Sequence, residues 1–364
     1  MSLRVLHVAQ PTTGGVARYV ATAAADQRRR GWDAVVACPD GGTLPGTLRH
    51  WGVPRLPWPA ARSPGPGTVA EIARVRRIVA ATRPDVVHLH SAKAGLAGRL
   101  AVRDRRPTAF QPHGWSWLAA TGAVAEAARR WERVATRWTG ALVCVGDGEA
   151  AQGRAAGVGA VTVVRNGVDL AEFAPTDDGT TRARIGIAPE VPVAVCPGRL
   201  TRQKGQDVLL AAWPAVRARC PDARLVLVGD GELGPALRAA RPEGVDLVPA
   251  VADVRPWYAA ADVVVLPSRW EGLSLTALEA FASGRPVVGS DVPGLAEVLT
   301  AGCATGVPPE DPSALAAALA DRLADLPGTR AARAAALVHA RRFDLRETLD
   351  RLAELTERLA RPGP

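Results

Sequence analysis

Short apolar runs alternate with longer amphipathic stretches along the first half of the chain. The runs have the length and Val/Ala-rich character of strands buried on both faces of a parallel sheet. The pattern predicts strands at Leu3–Ala9, Ala34–Cys38, Asp85–His90, Thr108–Gln111, Ala141–Val145 and Val161–Val164. It predicts helices at 14–30, Val69–Ala81, Ala94–Arg103 and Val124–Arg137, and a Gly- and Pro-rich loop at Gly41–Gly67.

The second half repeats this alternation after a polar break at Asp169–Pro192, which contains Pro residues and an Asp-Asp-Gly turn. The pattern predicts strands at Val193–Cys196, Arg224–Val228, Val245–Val248, Asp262–Leu266 and Pro286–Gly289. It predicts helices at Asp207–Ala218, Leu233–Ala240 and Thr276–Ser283, followed by alanine-rich helices. Strands that alternate with helices in this way indicate the α/β class.

We therefore expect two doubly wound, Rossmann-like domains. The first occupies residues 1–168, a linker occupies 169–191, and the second domain occupies 192–344. Ligands of such sheets bind beyond the carboxyl ends of the strands. Two domains facing each other would form a cleft at that place.

The charge of the chain is unevenly distributed. The 364 residues carry a net charge of +9, with 23 basic against 12 acidic side chains up to Glu172 and 22 against 24 after it. A basic first half favours polyanionic partners, such as nucleic acid, anionic lipid or phosphorylated substrates. A general bias toward Arg and Ala explains the scarcity of Lys, but it does not explain the difference between the halves.

The chain has only two lysines, Lys93 and Lys204, and the residues around them exclude several enzyme classes. Neither is followed by Ser or Thr, as a phosphate-binding Gly-x-x-x-x-Gly-Lys-Ser/Thr loop requires. Neither follows a Tyr by four positions, as in short-chain dehydrogenases. The sequence also contains no Gly-x-Ser-x-Gly elbow. The absence of an Asp-x-Asp pair argues against transferases that hold Mg²⁺ between two aspartates.

The compartment is predicted from the cysteines and the N-terminus. The five cysteines are scattered, as is typical of reduced, buried thiols in a cytosolic protein. The N-terminus has no basic segment followed by an apolar one, so we expect no signal peptide. No apolar run approaches the ~20 residues that span a bilayer.

The segment 269–279 (RWEGLSLTALE) follows a predicted strand and opens a helix. Backbone N–H groups at 272–274 would lie at the helix N-terminus, where anions bind. Glu271 in the turn and Glu279 in the helix could accept hydrogen bonds from sugar hydroxyls. A capping pattern, with a hydroxyl residue at the N-cap and Glu279 as a helix-supporting charge, explains the same residues.

The segment 198–205 (GRLTRQKG) lies between a predicted strand and its helix. Arg199 offers a planar fork of donors and Lys204 a compact charge, a combination that suits a diphosphate. Solvated charges in a loop are the alternative. This chain uses Arg almost everywhere else, so Lys204 suggests a need for an ammonium group.

Two other patterns have weaker functional meaning. Residues 229–234 match Gly-x-Gly-x-x-Gly, the dinucleotide-binding fingerprint, but Asp230 and Glu232 would face the pyrophosphate there. His88 and His90 share one strand face, as metal ligands can. No third ligand is near them in the sequence, so polar residues at a strand end are the preferred interpretation.

Three segments of the second half, in their order, resemble the nucleotide-sugar domain of glycosyltransferase family 4. They are 198–205 (GRLTRQKG), 228–231 (VGDG) and 271–279 (EGLSLTALE). Segments of the first half also resemble this family. They are a Gly-rich loop at 14–17 and the segment HLHSAKAGLAGR at 88–99, which is similar to a stretch of bacterial polysaccharide transferases. The segments PHG at 112–114 and NGVD at 166–169 are also similar to family segments.

The resemblance implies a retaining enzyme of the GT-B fold that needs neither a metal ion nor a bound cofactor. Arg199 and Lys204 would hold the donor diphosphate, and Glu279 the ribose hydroxyls. His113 would contact the sugar near the reaction centre. The implied donor-binding residues are Gly14, Gly15, Gly198, Arg199, Lys204, Gly231, Glu271, Gly272, Leu273, Ser274 and Glu279, and the implied catalytic residues are His113, Glu271, Arg199 and Lys204.

We expect a UDP-linked donor, with GDP as the second choice. The acceptor is a hydroxyl compound, either a lipid-linked saccharide or a natural product or small glycoside. Trp115 stands where the family more often has Phe, and Trp115 and Trp117 are candidate acceptor-stacking rings or buried anchors. The C-terminal residues 345–364 are expected to form a helix that packs back on the first domain, as in this fold generally.

Two other functions are compatible with the sequence. The same fold serves sugar-nucleotide 2-epimerases, although the Arg/Lys and paired Glu pattern fits a transferase better. The basic half is also compatible with nucleic-acid binding, but no known nucleic-acid motif supports it. We therefore expect no nucleic-acid partner. We expect a cytoplasmic protein whose basic first domain can rest on anionic lipid.

Overall fold

A computed structural model describes residues 2–176, 181–183, 185–300 and 302–361. The chain divides into two compact units. The first unit is Met1–Arg165 together with Glu347–Pro364, and the second is Asn166–Arg346. Each unit contains one parallel sheet with helices on both faces, which confirms the predicted α/β class.

The sheet of the first unit has the strand order β3-β2-β1-β4-β5-β6-β7. Its strands are β1 (Arg4–Ala9), β2 (Asp33–Cys38), β3 (Arg55–Pro57), β4 (Val86–His90), β5 (Thr108–Gln111), β6 (Ala141–Cys144) and β7 (Thr162–Val163). The order reverses between β1 and β4, and their carboxyl ends diverge there into the crevice where such sheets bind ligands. β1 ends at Ala9 and β4 at His90, and both residues are fully buried.

The helices of the first unit follow the predicted alternation. They are Gly14–Arg29, Leu44–His50, Thr68–Thr82, Ser91–Val102, Gly122–Ala135, Asp147–Ala155 and most of Leu345–Ala360. The helix at 44–50 and strand β3 lie inside the segment that the sequence predicted as a loop at Gly41–Gly67, so that prediction was wrong. Leu44 and Leu48, four positions apart, are buried on one face of this short helix, and their burial stabilises it.

The sheet of the second unit has the strand order β10-β9-β8-β11-β12-β13. Its strands are β8 (Val193–Pro197), β9 (Arg224–Val228), β10 (Val245–Val248), β11 (Val263–Leu266), β12 (Val287–Ser290) and β13 (Ala304–Val307). Its helices are Gln206–Arg219, Gly234–Ala240, Arg255–Ala260, Leu275–Ala282, Pro293–Ala296, Pro312–Ala324 and Leu326–Ala340. The order reverses between β8 and β11, which places the loops after these two strands side by side.

The segment 169–191, which the sequence predicts as a linker, clusters with the second unit as far as it lies within the described residues. The guanidinium of Arg182 is buried there. It pairs with the carboxylate of Asp262 at 2.7 Å and donates to the carbonyl oxygen of Ala260. The segment is therefore anchored to the end of the loop that precedes β11.

The helix Leu345–Ala360 packs on the first unit from residue 347 onward. Ala353 belongs to the same buried cluster as Val5 of β1 and Ala24 of the helix Gly14–Arg29. The hydroxyl of Thr348 donates to the carbonyl oxygen of Arg165 at 2.8 Å. Among the described residues, no helix combines the length and the apolar character needed to cross a membrane.

Candidate active site

The loop after β8 is shaped by two glycines. Gly198 has φ +154° and Gly205 has φ +67°, a left-handed conformation that side-chain-bearing residues rarely adopt. A Cβ atom at Gly205 would lie 1.9 Å from the carbonyl oxygen of Pro267. Glycine is therefore required where this loop passes the end of β11 and enters the helix Gln206–Arg219.

Lys204 and Glu271 meet between the loops after β8 and β11. The ammonium of Lys204 lies 2.5 Å from Oε1 of Glu271, and the hydroxyl of Ser268 donates to the same oxygen at 2.7 Å. The Lys204 side chain is 16% exposed and that of Glu271 is 7% exposed. The pair is thus largely shielded from water. Both partners bond to Oε1 of Glu271, so neither of them occupies Oε2.

Arg199 belongs to the same loop. Its guanidinium donates to Oε1 of Gln203 at 3.3 Å, and its carbonyl oxygen accepts from the side-chain amide of Gln206. Gln203 in turn donates to the carbonyl oxygen of Trp270 at 3.0 Å, in the loop after β11. The two loops are therefore hydrogen-bonded to each other, and together they carry both predicted diphosphate cations and Glu271.

Ser274 is the N-cap of the helix Leu275–Ala282. Its hydroxyl accepts a hydrogen bond from the backbone N–H of Ala277 at 3.4 Å. The carbonyl oxygen of Leu273 accepts from the side-chain amide of Asn166 at 2.8 Å. The carbonyl oxygen of Gly272 approaches Gly294 so closely that a Cβ there would lie 1.6 Å away. Ser274 therefore has the capping role expected for a hydroxyl residue. The N–H groups at 272–274 precede the first helical turn.

Glu279 belongs to a separate hydrogen-bond pair. The hydroxyl of Tyr258, on the helix Arg255–Ala260, donates to Oε2 of Glu279 at 2.8 Å. Tyr258 is fully buried, whereas Glu279 keeps some solvent exposure. No motif pointed to Tyr258, because its contact with Glu279 depends on how two helices pack.

The glycines at 229–231 hold the turn after β9 against the turn after β8. A Cβ at Gly229 would lie 2.0 Å from the carbonyl oxygen of Gly198, and one at Gly231 would lie 2.2 Å from that of Leu200. Asp230 accepts a hydrogen bond from the N–H of Ala250. Close packing against the backbone of the 198–205 loop therefore explains these glycines, and a dinucleotide-binding role is not needed to explain them.

In the first unit, His113 and Gly114 follow β5 with positive φ angles of +54° and +101°. A positive φ is costly for histidine, so this turn must be held by its surroundings. The buried carboxylate of Glu149 provides that support. It accepts from the N–H of Gly114 at 2.5 Å and from the N–H of Val145 at 2.7 Å.

Four histidines gather in β1, in β4 and in the turn after β5. His7 Nδ1 lies 2.9 Å from His90 Nε2, and His90 Nδ1 lies 3.1 Å from His113 Nε2. Burial lowers the pKa of His7 to about 4 and the pKa values of His88 and His90 well below the usual value. Burial lowers the pKa of His113 as well, although that residue keeps some solvent exposure. The rings are therefore neutral at pH 7.

His7 lies beside His88 and His90 as a third histidine. The sequence did not predict this neighbour. The three rings bring one nitrogen each within 4.8 Å of one another, a spacing at which imidazoles can share a metal ion. Nitrogens of His7 and His90 are hydrogen-bonded to each other instead. We therefore describe the cluster as a hydrogen-bond network.

Trp115 and Trp117 are packing residues. They are 2% and 5% exposed, stack on each other at 4.4 Å between ring centroids, and belong to the apolar core. The indole N–H of Trp115 donates to the carbonyl oxygen of Glu149. Of the two interpretations that the sequence left open, this burial favours buried anchors over rings that stack on an acceptor.

Three other motif residues of the first unit differ in exposure. Gly14 and Gly15 are exposed at the start of the helix Gly14–Arg29, and Gly14 has φ +72°. Lys93 is buried, and its ammonium lies 2.6 Å from the carboxylate of Glu71 and donates to the carbonyl oxygen of Ser63. Lys93 therefore stabilises the loop before the helix Thr68–Thr82, whereas the backbone at Gly14 and Gly15 is accessible to solvent.

Comparison with protein families gives two matches that cover most of the chain. Residues 13–172 match the family described as "Glycosyltransferase Family 4", and residues 191–325 match "Glycosyl transferases group 1". The first match lies in the first unit except for residues 166–172, and the second match lies within the second unit.

Among curated relatives, a D-inositol 3-phosphate glycosyltransferase of Jonesia denitrificans is 34% identical over 317 residues, which cover 78% of this chain and 74% of that protein. One of Thermobispora bispora is 37% identical over 222 residues, which cover 55% of this chain and 51% of that protein. A lipopolysaccharide core biosynthesis mannosyltransferase of Rhizobium meliloti is 32% identical over 216 residues, 55% of this chain and 61% of that protein. For several of these relatives, the match spans only about half of their length.

Solved structures show the same fold at low identity. Anabaena HepE in complex with UDP and glucose has a TM-score of 0.84 at 23% identity, over 98% of this chain and 99% of that chain. Sucrose-phosphate synthase of Thermosynechococcus elongatus has a TM-score of 0.83 at 20% identity, over 98% and 99%. These likenesses confirm the predicted GT-B fold of two Rossmann-like units.

Proposed function

The chain belongs to glycosyltransferase family 4, and from this premise we propose that it transfers a sugar from a nucleotide-sugar donor to a hydroxyl acceptor. The observation that carries the proposal is the cluster of Lys204, Glu271 and Ser268 beside Arg199 at the carboxyl edge of the second sheet. This edge is where doubly wound sheets bind nucleotides. Relatives named glycosyltransferases and a structural neighbour solved with UDP and glucose support it.

The leaving group of the proposed reaction is a nucleoside diphosphate. Its charge grows as the bond between the sugar C1 and the phosphate oxygen breaks, so preorganised cations and N–H donors lower the barrier. Arg199, Lys204 and the N–H groups at 272–274 would supply them. Glu271 holds the Lys204 ammonium in one position before substrate arrives, which avoids reorganisation during the reaction.

Two carboxylates would bind hydroxyl groups of the donor. Oε2 of Glu271 would accept from the transferred sugar, because Oε1 is already engaged by Lys204 and Ser268. Glu279, oriented by Tyr258, would accept from the ribose hydroxyls. Gly198 and Gly231 would keep the adjoining backbone close to the diphosphate. Gly14 and Gly15 would present accessible backbone to the donor phosphates.

We propose front-face transfer with retention of the anomeric configuration. The departing phosphate oxygen takes the proton of the acceptor hydroxyl, and the acceptor oxygen bonds to C1 on the face that the phosphate leaves. His113 would contact the sugar near C1. This scheme needs no enzyme nucleophile, and it needs no metal ion because the cations and N–H groups neutralise the diphosphate.

The finer assignments are a UDP-linked donor, with GDP as the second choice, and a lipid-linked saccharide as acceptor. The excess of basic side chains before Glu172 supports contact of the first unit with anionic lipid on the cytoplasmic side of a membrane. Flotation with anionic liposomes at low salt tests this assignment. Failure to float would favour a small glycoside or natural-product acceptor.

A thermal-shift panel of UDP, GDP, TDP and NAD tests the proposed site. A ligand that binds the folded state raises the melting temperature by mass action. We expect one nucleoside diphosphate to stabilise the wild type and to lose this effect in Lys204→Ala and Glu279→Ala. The exposed Glu243, which pairs with Arg217 on the surface, provides the control Glu243→Ala, which should keep the shift. Stabilisation by NAD alone, or DNA binding without any nucleotide effect, would overturn the proposal.

A further inference from the structure

A chain of hydrogen bonds joins Gln27 to His113 through two other histidines of the first unit. We call it the histidine relay, and its members are Gln27, His7, His90 and His113. Gln27 Oε1 lies 2.8 Å from His7 Nε2, His7 Nδ1 lies 2.9 Å from His90 Nε2, and His90 Nδ1 lies 3.1 Å from His113 Nε2. The relay therefore links a helix, two neighbouring strands and the turn after a third strand.

One end of the relay is buried and the other reaches solvent. Gln27 is 2% exposed, and His7 and His90 are 0% exposed. His113 is only partly covered, in a strained turn with φ +54°. Buried polar groups in a low-dielectric interior keep their hydrogen-bond partners, so the state of one ring is coupled to that of the next.

The direction of the hydrogen bonds follows from elementary chemistry. A neutral imidazole has one N–H donor and one nitrogen acceptor. Oε1 of Gln27 only accepts, so Nε2 of His7 carries the hydrogen and Nδ1 of His7 accepts. Nε2 of His90 must then donate to His7, which leaves Nδ1 of His90 to accept from Nε2 of His113.

We propose that the histidine relay holds His113 as the Nε2–H tautomer, so that Nδ1 of His113 is a hydrogen-bond acceptor for a hydroxyl of the sugar substrate. Gln27 is then a positioning residue that acts through two buried imidazoles and does not touch the substrate. The part of this inference that concerns the sugar rests on the proposed function. The tautomer itself does not.

The lowered pKa values of the buried rings support this arrangement, because a protonated ring would donate from both nitrogens and break the sequence of hydrogen bonds. His88 lies beside the relay, with its ring centroid 4.0 Å from that of His90. Its Nε2 is buried and has no hydrogen-bond partner among the described residues. His88 is therefore a neighbour of the relay and not one of its links.

Nitrogen-15 NMR of histidine-labelled full-length protein reads the tautomers directly. We expect signals of His7, His90 and His113 in the wild type to show a protonated Nε2 and an unprotonated Nδ1. The variant Gln27→Met removes the terminal acceptor with little change in side-chain length, and it should leave His113 as a mixture of tautomers. Gln27→Glu keeps an acceptor at this position and should restore the wild-type tautomer.

Steady-state kinetics with the donor provides the functional readout. Gln27→Met should lower kcat/KM about tenfold, the effect of one hydrogen bond worth about 1.4 kcal/mol. The control Gln152→Met, on the helix Asp147–Ala155 of the same unit, should match the wild type in both tautomer and rate. An Nδ1–H tautomer at His113 in the wild type would overturn the relay, and so would an unchanged spectrum in Gln27→Met.

Two further results distinguish the tautomer inference from a packing role of Gln27 and from the proposed function. If Gln27→Met and Gln27→Glu lose activity equally while their spectra stay as in the wild type, Gln27 has only a packing role and the inference is wrong. If the wild type transfers no sugar but shows the expected tautomers, the relay stands and the proposed function fails. The wild-type spectrum decides the tautomer even if a variant does not fold.

Discussion

Lys204 and Glu271 form an ion pair of 2.5 Å between the loops that follow β8 and β11. They are 67 positions apart in the chain, and Ser268 shares the bonded oxygen of Glu271. The pair places a fixed cation where the strand order of the second sheet reverses. A ready cation at such a point is what a diphosphate leaving group requires.

Removal of this cation should weaken catalysis. Lys204→Ala should lower kcat/KM for the nucleotide-sugar roughly 100- to 1000-fold, the range for loss of one preorganised charge-stabilising donor. Donor-dependent release of nucleoside diphosphate measures the effect. The exposed Arg219, which pairs with Asp321, gives the control Arg219→Ala. An equal loss in the control, or none in Lys204→Ala, would count against the proposed role.

Tyr258 should affect nucleotide binding through its hydrogen bond to Glu279. Tyr258→Phe removes one hydroxyl and leaves the buried ring in place, so Glu279 loses a donor at 2.8 Å. We expect the nucleotide dissociation constant to rise about 5- to 10-fold, corresponding to about 1 kcal/mol, with little change in kcat. Titration calorimetry with the nucleoside diphosphate checks the affinity. A fall in kcat at unchanged affinity would place Tyr258 in a different role.

The stability of the fold should fall in mildly acidic solution. Burial holds the pKa of His7 at about 4, whereas the unfolded chain has the ordinary value of 6.5. Between these values the unfolded state binds the proton and the folded state does not, so the unfolding free energy decreases as pH falls from 6.5 toward 4. His7 alone accounts for about 3 kcal/mol of this decrease.

Urea unfolding at pH 7.5, 5.5 and 4.5 measures this dependence. His7→Asn removes one of four histidines whose pKa values are lowered by burial, so the slope between pH 6.5 and 4 should become less steep, while His88, His90 and His113 keep their own contributions. The variant should be less stable than the wild type at pH 7.5, because it breaks the bonds to Gln27 and His90. A wild-type slope that the substitution leaves unchanged would contradict the assignment to His7.

Gly205 should not tolerate a side chain. Gly205→Ala forces a residue with φ +67° and places its Cβ 1.9 Å from the carbonyl oxygen of Pro267. We expect a loss of more than about 2 kcal/mol in unfolding free energy, together with weaker nucleotide binding. Gly46, on the helix Leu44–His50, has open space around it, and Gly46→Ala should be neutral or slightly stabilising. Equal stability of the two variants would refute this account of the loop.

The fold was predictable because most buried strands are short, largely apolar runs bounded by polar residues. The strands β8 and β11 are Val-rich and end at polar loops, so the sequence also predicted that Arg199, Lys204 and Glu271 lie at strand ends. The glycines and prolines of the segment Gly41–Gly67 predict a loop, and the short helix inside it has only one buried apolar pair, Leu44 and Leu48, to indicate its period. Two apolar residues give too weak a period to predict a helix.

Partners that meet only through tertiary packing were not predictable. Tyr258 and Glu279 are 21 positions apart on different helices, and His7 and His90 are 83 positions apart on neighbouring strands. A parallel sheet brings strand ends together, but the order of its strands decides which ends meet. Trp115 was ambiguous for a related reason, since an aromatic residue in a loop can face a ligand or the core.

The most direct test of the central claim is donor turnover without an added acceptor. UDP-, GDP- and TDP-sugars are incubated with the wild type and with Lys204→Ala, and released nucleoside diphosphate and sugar are followed by NMR. The account predicts slow transfer to water from one donor class, UDP-sugars first, with the α-anomer retained and with loss of release in Lys204→Ala. Interconversion of the sugar-nucleotide without release, or no reaction with any donor, would contradict it.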